Sequence, residues 1–291
     1  MEEEKVVSTQ DSLTPSATVH ELSDSVMTGK AGFSKTKMFT LAIAAGAFIA
    51  FGAQVSLTVM TGDSMMGWGF TKLIGAMTFA TGLMIVALTG AELFTGNVMM
   101  TFAVLEKKVS LLKLLRSWTI VYIANFVGSI LVAGLIFGAG MGHNGGDAVG
   151  VTAMQTAFSK INLTFGEAFF RGILCNWLVC LAIFMASTSK RVIGKIFAIF
   201  FPIMTFVASG YEHSVANMFF IPNGLLMKHF PSIVAASGMT PDQLATMTWK
   251  GFFLHNLLPV TCGNIVGAFV FVVLLFWTAY LREEHRHHHN H

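Results

Sequence analysis

The chain has 291 residues, 54% hydrophobic and only 11% charged, with a formal net charge of +3 and a mean hydropathy of +0.67. Soluble globular domains carry about 25% charged residues, so this composition points away from them and toward an all-α integral membrane protein. The basic residues flank apolar stretches and form no stripe interleaved with aromatics, which excludes a nucleic-acid partner.

Residues 1–37 begin Met1-Glu2-Glu3-Glu4 and lack the apolar core of a cleavable leader. Within this segment the spacing of Val19, Leu22 and Val26 fits either a short helix lying on the inner membrane face or a flexible tail. A transmembrane domain over 38–281 follows, with apolar spans near 38–60, 70–105, 118–139, 163–187, 192–222 and 252–281. About 20 apolar residues cross a bilayer, so the second and fifth spans are too long for one simple crossing. Residues 141–160 and 223–250 are Gly-, Ser- and Pro-containing connections. The tail, 282–291, is His-rich and fits a solvated end with incidental affinity for a transition metal. No structural metal site and no cofactor is expected. Cys175, Cys180 and Cys262 fall within spans without metal spacing and read as small buried apolar residues.

One set of span ends and tails carries Lys5, Lys30, Lys35, Lys37, Lys107, Lys108, Lys113, Arg116, Lys190, Arg191, Lys195, Arg282 and Arg286. The other carries Lys72, Lys160, Arg171, Lys228 and Lys250. The richer side is expected in the cytoplasm, together with both termini.

A short segment occurs twice. Residues 90–97 read G-A-E-L-F-T-G-N and residues 210–217 read G-Y-E-H-S-V-A-N, each inside one of the two overlong spans. Asn125-Phe126-Val127-Gly128 in the third span likewise parallels Asn264-Ile265-Val266-Gly267 in the sixth. Spans 1–3 and 4–6 therefore read as two copies of one unit. Three crossings per copy invert the second relative to the first, and the paired interruptions predict broken helices 2 and 5 facing one another at mid-membrane.

Few titratable groups lie deep in the spans. Glu92, Glu212 and His213 are the main ones, and an ionisable residue at that depth is a functional candidate. His213 is the foremost, as a neutral N–H donor to an anion or as a proton carrier. The symmetric Glu92 and Glu212 are expected to cap backbone N–H groups freed at each break. Asn97 and Asn217 would satisfy freed backbone groups or line the path. Thr95 offers a hydroxyl to a passing anion, or serves as a helix cap. Lys160 would draw anions into a vestibule, or is one more solvated lysine. Glu167 and Arg171 are expected to pair at i,i+4, and Lys72 to snorkel to the interface. Ser214 adjoins His213, but sequence neighbours at a helix start do not make a nucleophile–base pair, so no enzyme is expected.

Three stretches carry a resemblance: residues 91–97 (A-E-L-F-T-G-N), 175–182 (C-N-W-L-V-C-L-A) and 208–218 (A-S-G-Y-E-H-S-V-A-N-M). Across residues 38–281 the chain resembles the formate/nitrite transporter family. The resemblance implies an aquaporin-like six-transmembrane-helix subunit, assembled as a homopentamer in a bacterial-type inner membrane, with one pore per subunit. It implies that His213 is the central pore residue, that Glu212 and Asn217 orient it, and that Thr95 lies on a flexible loop. Lys160 would be the vestibule lysine, Asn176 and Val179 would line the pore, and Phe79, Leu83, Leu93 and Phe206 would form apolar constrictions. One departure is Gly96-Asn97, where formate channels carry small hydroxyl residues; glycine there is similar to nitrite and hydrosulfide members. The expected cargo is a small weak-acid anion, formate foremost, with nitrite, hydrosulfide, acetate and lactate as alternatives, carried with a proton. A water- or glycerol-like pore is the alternative of another kind, although the Asn-Pro-Ala boxes of such pores are absent.

Overall fold

The structure, a computed structural model, describes residues 11–62 and 65–282. Lys5 and the His-rich tail beyond Arg282 lie outside the described residues. Among the described residues the fold is all helical, apart from one isolated bridge between Ser12 and Ser189.

In chain order the helices are α1 (Pro15–Glu21), α2 (Met27–Ala31), α3 (Lys35–Val59), α4 (Trp68–Thr89), α5 (Phe94–Asn97), α6 (Thr101–Leu105), α7 (Leu111–Gly138), α8 (Ala148–Ile161), α9 (Phe165–Thr188), α10 (Val192–Ala208), α11 (Ser214–Met227), α12 (Pro231–Ser237), α13 (Pro241–Thr246) and α14 (Leu258–Ala268). Five helices are long and apolar enough to cross a membrane: α3, α4, α7, α9 and the run Gly251–Leu281, which has α14 at its centre. The remaining crossing is divided between α10, of 17 residues, and α11, of 14. Neither spans a hydrocarbon core of about 30 Å alone.

Both overlong spans break where the repeated motif predicts. α4 stops at Gly90 and α10 one residue before Gly210, with φ of 72° and 77° at the two glycines. L side chains rarely adopt that left-handed conformation, and glycine does so without steric cost. The chain then runs extended through Leu93 and His213 before helix resumes at Phe94 and Ser214. On the first side α5, a 3₁₀ turn and α6 follow one another as the run Phe94–Leu105.

The two halves pack alike. α3 lies against α4 and α7, α9 lies against α10 and α14, and α4 meets α10 between the halves. Gly128 and Gly267, the ends of the repeated Asn-x-x-Gly, both sit at close helix approaches. A Cβ at Gly128 would sit 2.0 Å from the Ile43 carbonyl oxygen, and one at Gly267 would sit 2.3 Å from that of Ile173. Backbone cannot yield to such contacts, so Gly128→Ala and Gly267→Ala should each destabilise the protein by about 1–3 kcal/mol or more. Gly134→Ala, with nothing within 4 Å, should leave thermal unfolding of the purified protein unchanged.

The repeat extends into the N-terminal segment. Where the sequence allows either a helix or a tail, the segment is α1, a π turn and α2, with Val19 and Leu22 buried. It precedes α3 as α8 precedes α9. It packs on the Phe94–Leu105 run as α8 packs on α11. Leu13 N–H donates to the Thr188 carbonyl at 2.8 Å and Asp11 pairs with Arg191 at 2.5 Å, which fixes its start to the α9–α10 turn.

Candidate functional site at the two breaks

Breaking a helix in an apolar interior frees N–H and C=O groups that lipid cannot satisfy. The sequence pattern points to the glutamates as acceptors for the N–H groups; two asparagines on the third and sixth spans take them instead. Asn125 Oδ1 accepts from Phe94 N–H at 2.9 Å, while its Nδ2 donates to the carbonyls of Ala42 and Glu92. Asn264 Oδ1 accepts from Ser214 N–H at 2.9 Å, while its Nδ2 donates to the carbonyls of Gly172 and Glu212. An amide both accepts and donates, which a carboxylate cannot.

The glutamates instead face lysines. Glu212 Oε1 accepts from Lys160 Nζ at 2.8 Å, and its Oε2 accepts from the side-chain amides of Asn217 and Asn256 at 2.6 and 3.2 Å. Glu92 lies 3.0 Å from Lys30 Nζ and accepts from Asn97 Nδ2 at 2.7 Å. Lys30, on α2, is thus the counterpart of Lys160, on α8. Both carboxylates are buried, so each negative charge is matched by an ammonium and an amide.

The motif sets His213 opposite Leu93, and Thr95 opposite Val215, and here the halves differ. His213, 3% exposed, accepts from Ala216 N–H through Nδ1 at 2.9 Å, and its Nε2 lies 2.8 Å from Thr95 Oγ1. With Nδ1 taken as an acceptor, the ring proton of the neutral form belongs on Nε2, directed at Thr95. Both ring nitrogens are therefore engaged away from Ser214. Asn176 Nδ2 donates to the carbonyls of Thr95 and Asn264, at 3.1 and 2.8 Å, and Cys180 Sγ donates to the Thr95 carbonyl at 3.4 Å. Trp118 Nε1 holds the Asn97 carbonyl at 3.0 Å.

Two cavities approach this junction and share no lining residue. One, of about 650 Å³, is lined by Lys160, Glu212, His213, Asn217, Phe79 and Phe206, among others. The other, of about 470 Å³, is lined by Lys30, Leu83, Leu93, Gly96 and Asn97, among others. Thr95, Asn176 and Val179 are buried and line neither. On the His213 side a collar of aromatic rings closes the floor. Phe206 stacks on His213 with centroids 6.0 Å apart, and Phe79 meets Phe206 edge-on at 5.7 Å and Phe220 at 6.1 Å.

Three sequence readings need correction. Glu167 forms a capping box with Thr164 and makes no ion pair with Arg171 among the described residues. Thr95, expected on a flexible loop, sits in the helical turn α5. Cys262 is exposed, unlike Cys175 and Cys180. Phe220 and Lys30 are members of the site that the sequence does not single out.

The profile of the formate/nitrite transporter family matches residues 17–278. The chain belongs to this family. It is 40% identical over 264 residues to the probable formate transporter of Methanothermobacter thermautotrophicus, covering 85% of this chain and 90% of that one. It is 38% identical over 253 residues to the formate channel FocA of Escherichia coli K12, covering 86% and 89%. Among solved structures, a pentameric formate channel with formate bound superimposes with a TM-score of 0.77 at 38% identity, covering 85% of this chain and 98% of that one. An FNT family ion channel superimposes with a TM-score of 0.76 at 29% identity, covering 90% and 98%. The six-span, twice-broken architecture read from the repeat is that of this family, a multi-pass membrane transporter fold.

Proposed function

We propose that this protein conducts small monovalent weak-acid anions, formate first, across a bacterial-type inner membrane as a homopentamer with one path per subunit. In this reading both termini face the cytoplasm, so the Lys160 cavity opens outward and the Lys30 cavity inward. The observation that carries it is a pair of lysine-bearing cavities separated by a buried apolar floor whose central polar pair is His213 and Thr95.

Charge decides the chemistry. Moving a bare carboxylate into the floor costs several kcal/mol at least, and about 20 by idealised Born solvation. Protonating a carboxylate with an ordinary pKa near 4 at neutral pH costs only about 4 kcal/mol. The cheaper route is to lose the charge first. Lys160 raises the local anion concentration and water supplies a proton. The neutral acid then passes Phe79, Phe206, Leu83 and Leu93, guided by the hydrogen bonds of His213 and Thr95, and releases the proton beside Lys30. Val179 and Asn176 wall the passage, and Asn176 holds the α5 turn that carries Thr95, while Glu212, Asn217, Glu92 and Asn97 fix the lysines. Nitrite, hydrosulfide, acetate and lactate fit the same scheme, and Gly96 is the feature that favours nitrite or hydrosulfide. A water- or glycerol-like pore would have no use for the lysines.

The test is flux of labelled formate into proteoliposomes across external pH, beside chloride and osmotic swelling. Formate uptake should rise as external pH falls, while chloride, whose acid is too strong to form, should stay at background. Chloride passing as readily as formate would end the neutral-acid scheme, and swelling in glycerol without formate flux would establish the neutral-solute alternative.

A further inference from the structure

We propose that the outer cavity holds a second anion-binding point, built by Lys72 and Arg171, which takes short dianions such as dicarboxylates and plugs the path with them. This deepens the reading of that cavity as the mouth of an anion path.

The charged residues lining the cavity are Lys72, Lys160, Arg171 and Glu212. Lys160 is committed to Glu212 at 2.8 Å. Lys72, in the first turns of α4, and Arg171, in the second turn of α9, have no ion pair among the described residues. Among those residues, Lys72, Lys160 and Arg171 outnumber Glu212, the one carboxylate that lines this cavity. Cations in excess over carboxylates in one concavity are relieved by an anion that reaches both Lys72 and Arg171.

A second observation points the same way. Ser56 lines the same cavity and is 0% exposed, and its Oγ has no hydrogen-bond partner. A buried hydroxyl without a partner is an offer to a ligand or an ordered water. Size agrees: about 650 Å³ far exceeds what a three-heavy-atom anion fills, given that one water occupies about 30 Å³ in the liquid.

Valence then separates holding from passing. A monocarboxylate needs one cation and sheds its charge with one proton. A dicarboxylate can engage Arg171 in a bidentate contact at one end and Lys72 at the other. It must gain two protons to enter the Phe79–Phe206 collar, so it stays in the cavity and excludes formate.

Malonate is the probe, with two readouts on the full-length protein: calorimetric binding to the detergent-purified protein, and inhibition of formate flux in proteoliposomes. Wild type should bind malonate more tightly than acetate, and external malonate should inhibit in competition with formate. Lys72→Gln and Arg171→Gln should each weaken malonate binding about tenfold, and the double variant should lose it. Lys72→Arg keeps the charge and should bind within severalfold of wild type, while melting curves establish that each variant is folded. Malonate binding the folded double variant as it binds wild type would overturn the proposal, as would wild type failing to bind. Failure of formate flux with malonate binding intact would sink the transport reading and spare this one; intact flux without malonate binding would do the reverse.

Discussion

Glu212→Gln should be among the most damaging single substitutions in this protein. Three donors converge on that carboxylate: Lys160 Nζ and the amides of Asn217 and Asn256. Glutamine brings one acceptor oxygen and an NH₂ group of its own, so at least one donor meets a donor. Lys160, mostly buried, keeps its charge without its partner. Breaking a buried ion pair from one side costs about 3–5 kcal/mol, a large part of an ordinary protein's stability. The purified variant should melt at a much lower temperature, and its formate flux should fall with it. Removing both charges, as Glu212→Gln with Lys160→Met, should recover part of the melting temperature, because the orphaned ammonium is gone. Flux should not recover, because the outer mouth has lost its lysine. Glu92→Gln should be milder, since Lys30 is 25% exposed against 16% for Lys160 and water reaches it more easily. A Glu212→Gln protein as stable as wild type would mean that this pair contributes nothing.

The breaks were legible because a glycine followed by a buried glutamate is expensive inside an apolar span, and two such interruptions in register mark one break made twice. The asparagines of the third and sixth spans were legible as a repeat, but not as the groups that hold the breaks. That role depends on which backbone groups fall within reach, and spacing does not encode reach across 31 or 50 residues. Lys30 was hidden for a related reason. It belongs to a weakly amphipathic segment, and its partner Glu92 lies on the far side of an entire span. Two misses had signals. Thr164-x-x-Glu167 is a capping box in plain sequence, and it outranks the i,i+4 pairing with Arg171. Phe220 lies seven residues beyond His213, two helical turns along the same face of α11, but among 27 phenylalanines its aromaticity singled out nothing.

The polarity of His213 carries the last and sharpest expectation. Nδ1 accepts from Ala216 N–H, so the imidazolium could form only by giving up the cap of α11. The ring therefore serves as a fixed donor, its Nε2–H directed to Thr95, whose hydroxyl proton is then free to point at the cargo. A proton carrier would have to gain and lose a proton on each passage and would break and remake the cap each time. Asparagine separates these roles. Its side-chain oxygen caps a helix well and its NH₂ donates, yet it does not titrate. His213→Asn should therefore keep a stable protein and most of the formate flux, with the pH profile of wild type. His213→Phe loses both the cap and the donor. Its flux should fall by about 10- to 100-fold, the worth of one hydrogen bond to a charged or partly charged group. Thr95→Val should fall similarly, and Thr95→Ser should not. If His213→Asn were as inactive as His213→Phe, or if its uptake no longer responded to pH, the imidazole would be the proton carrier and the cap would open in every cycle.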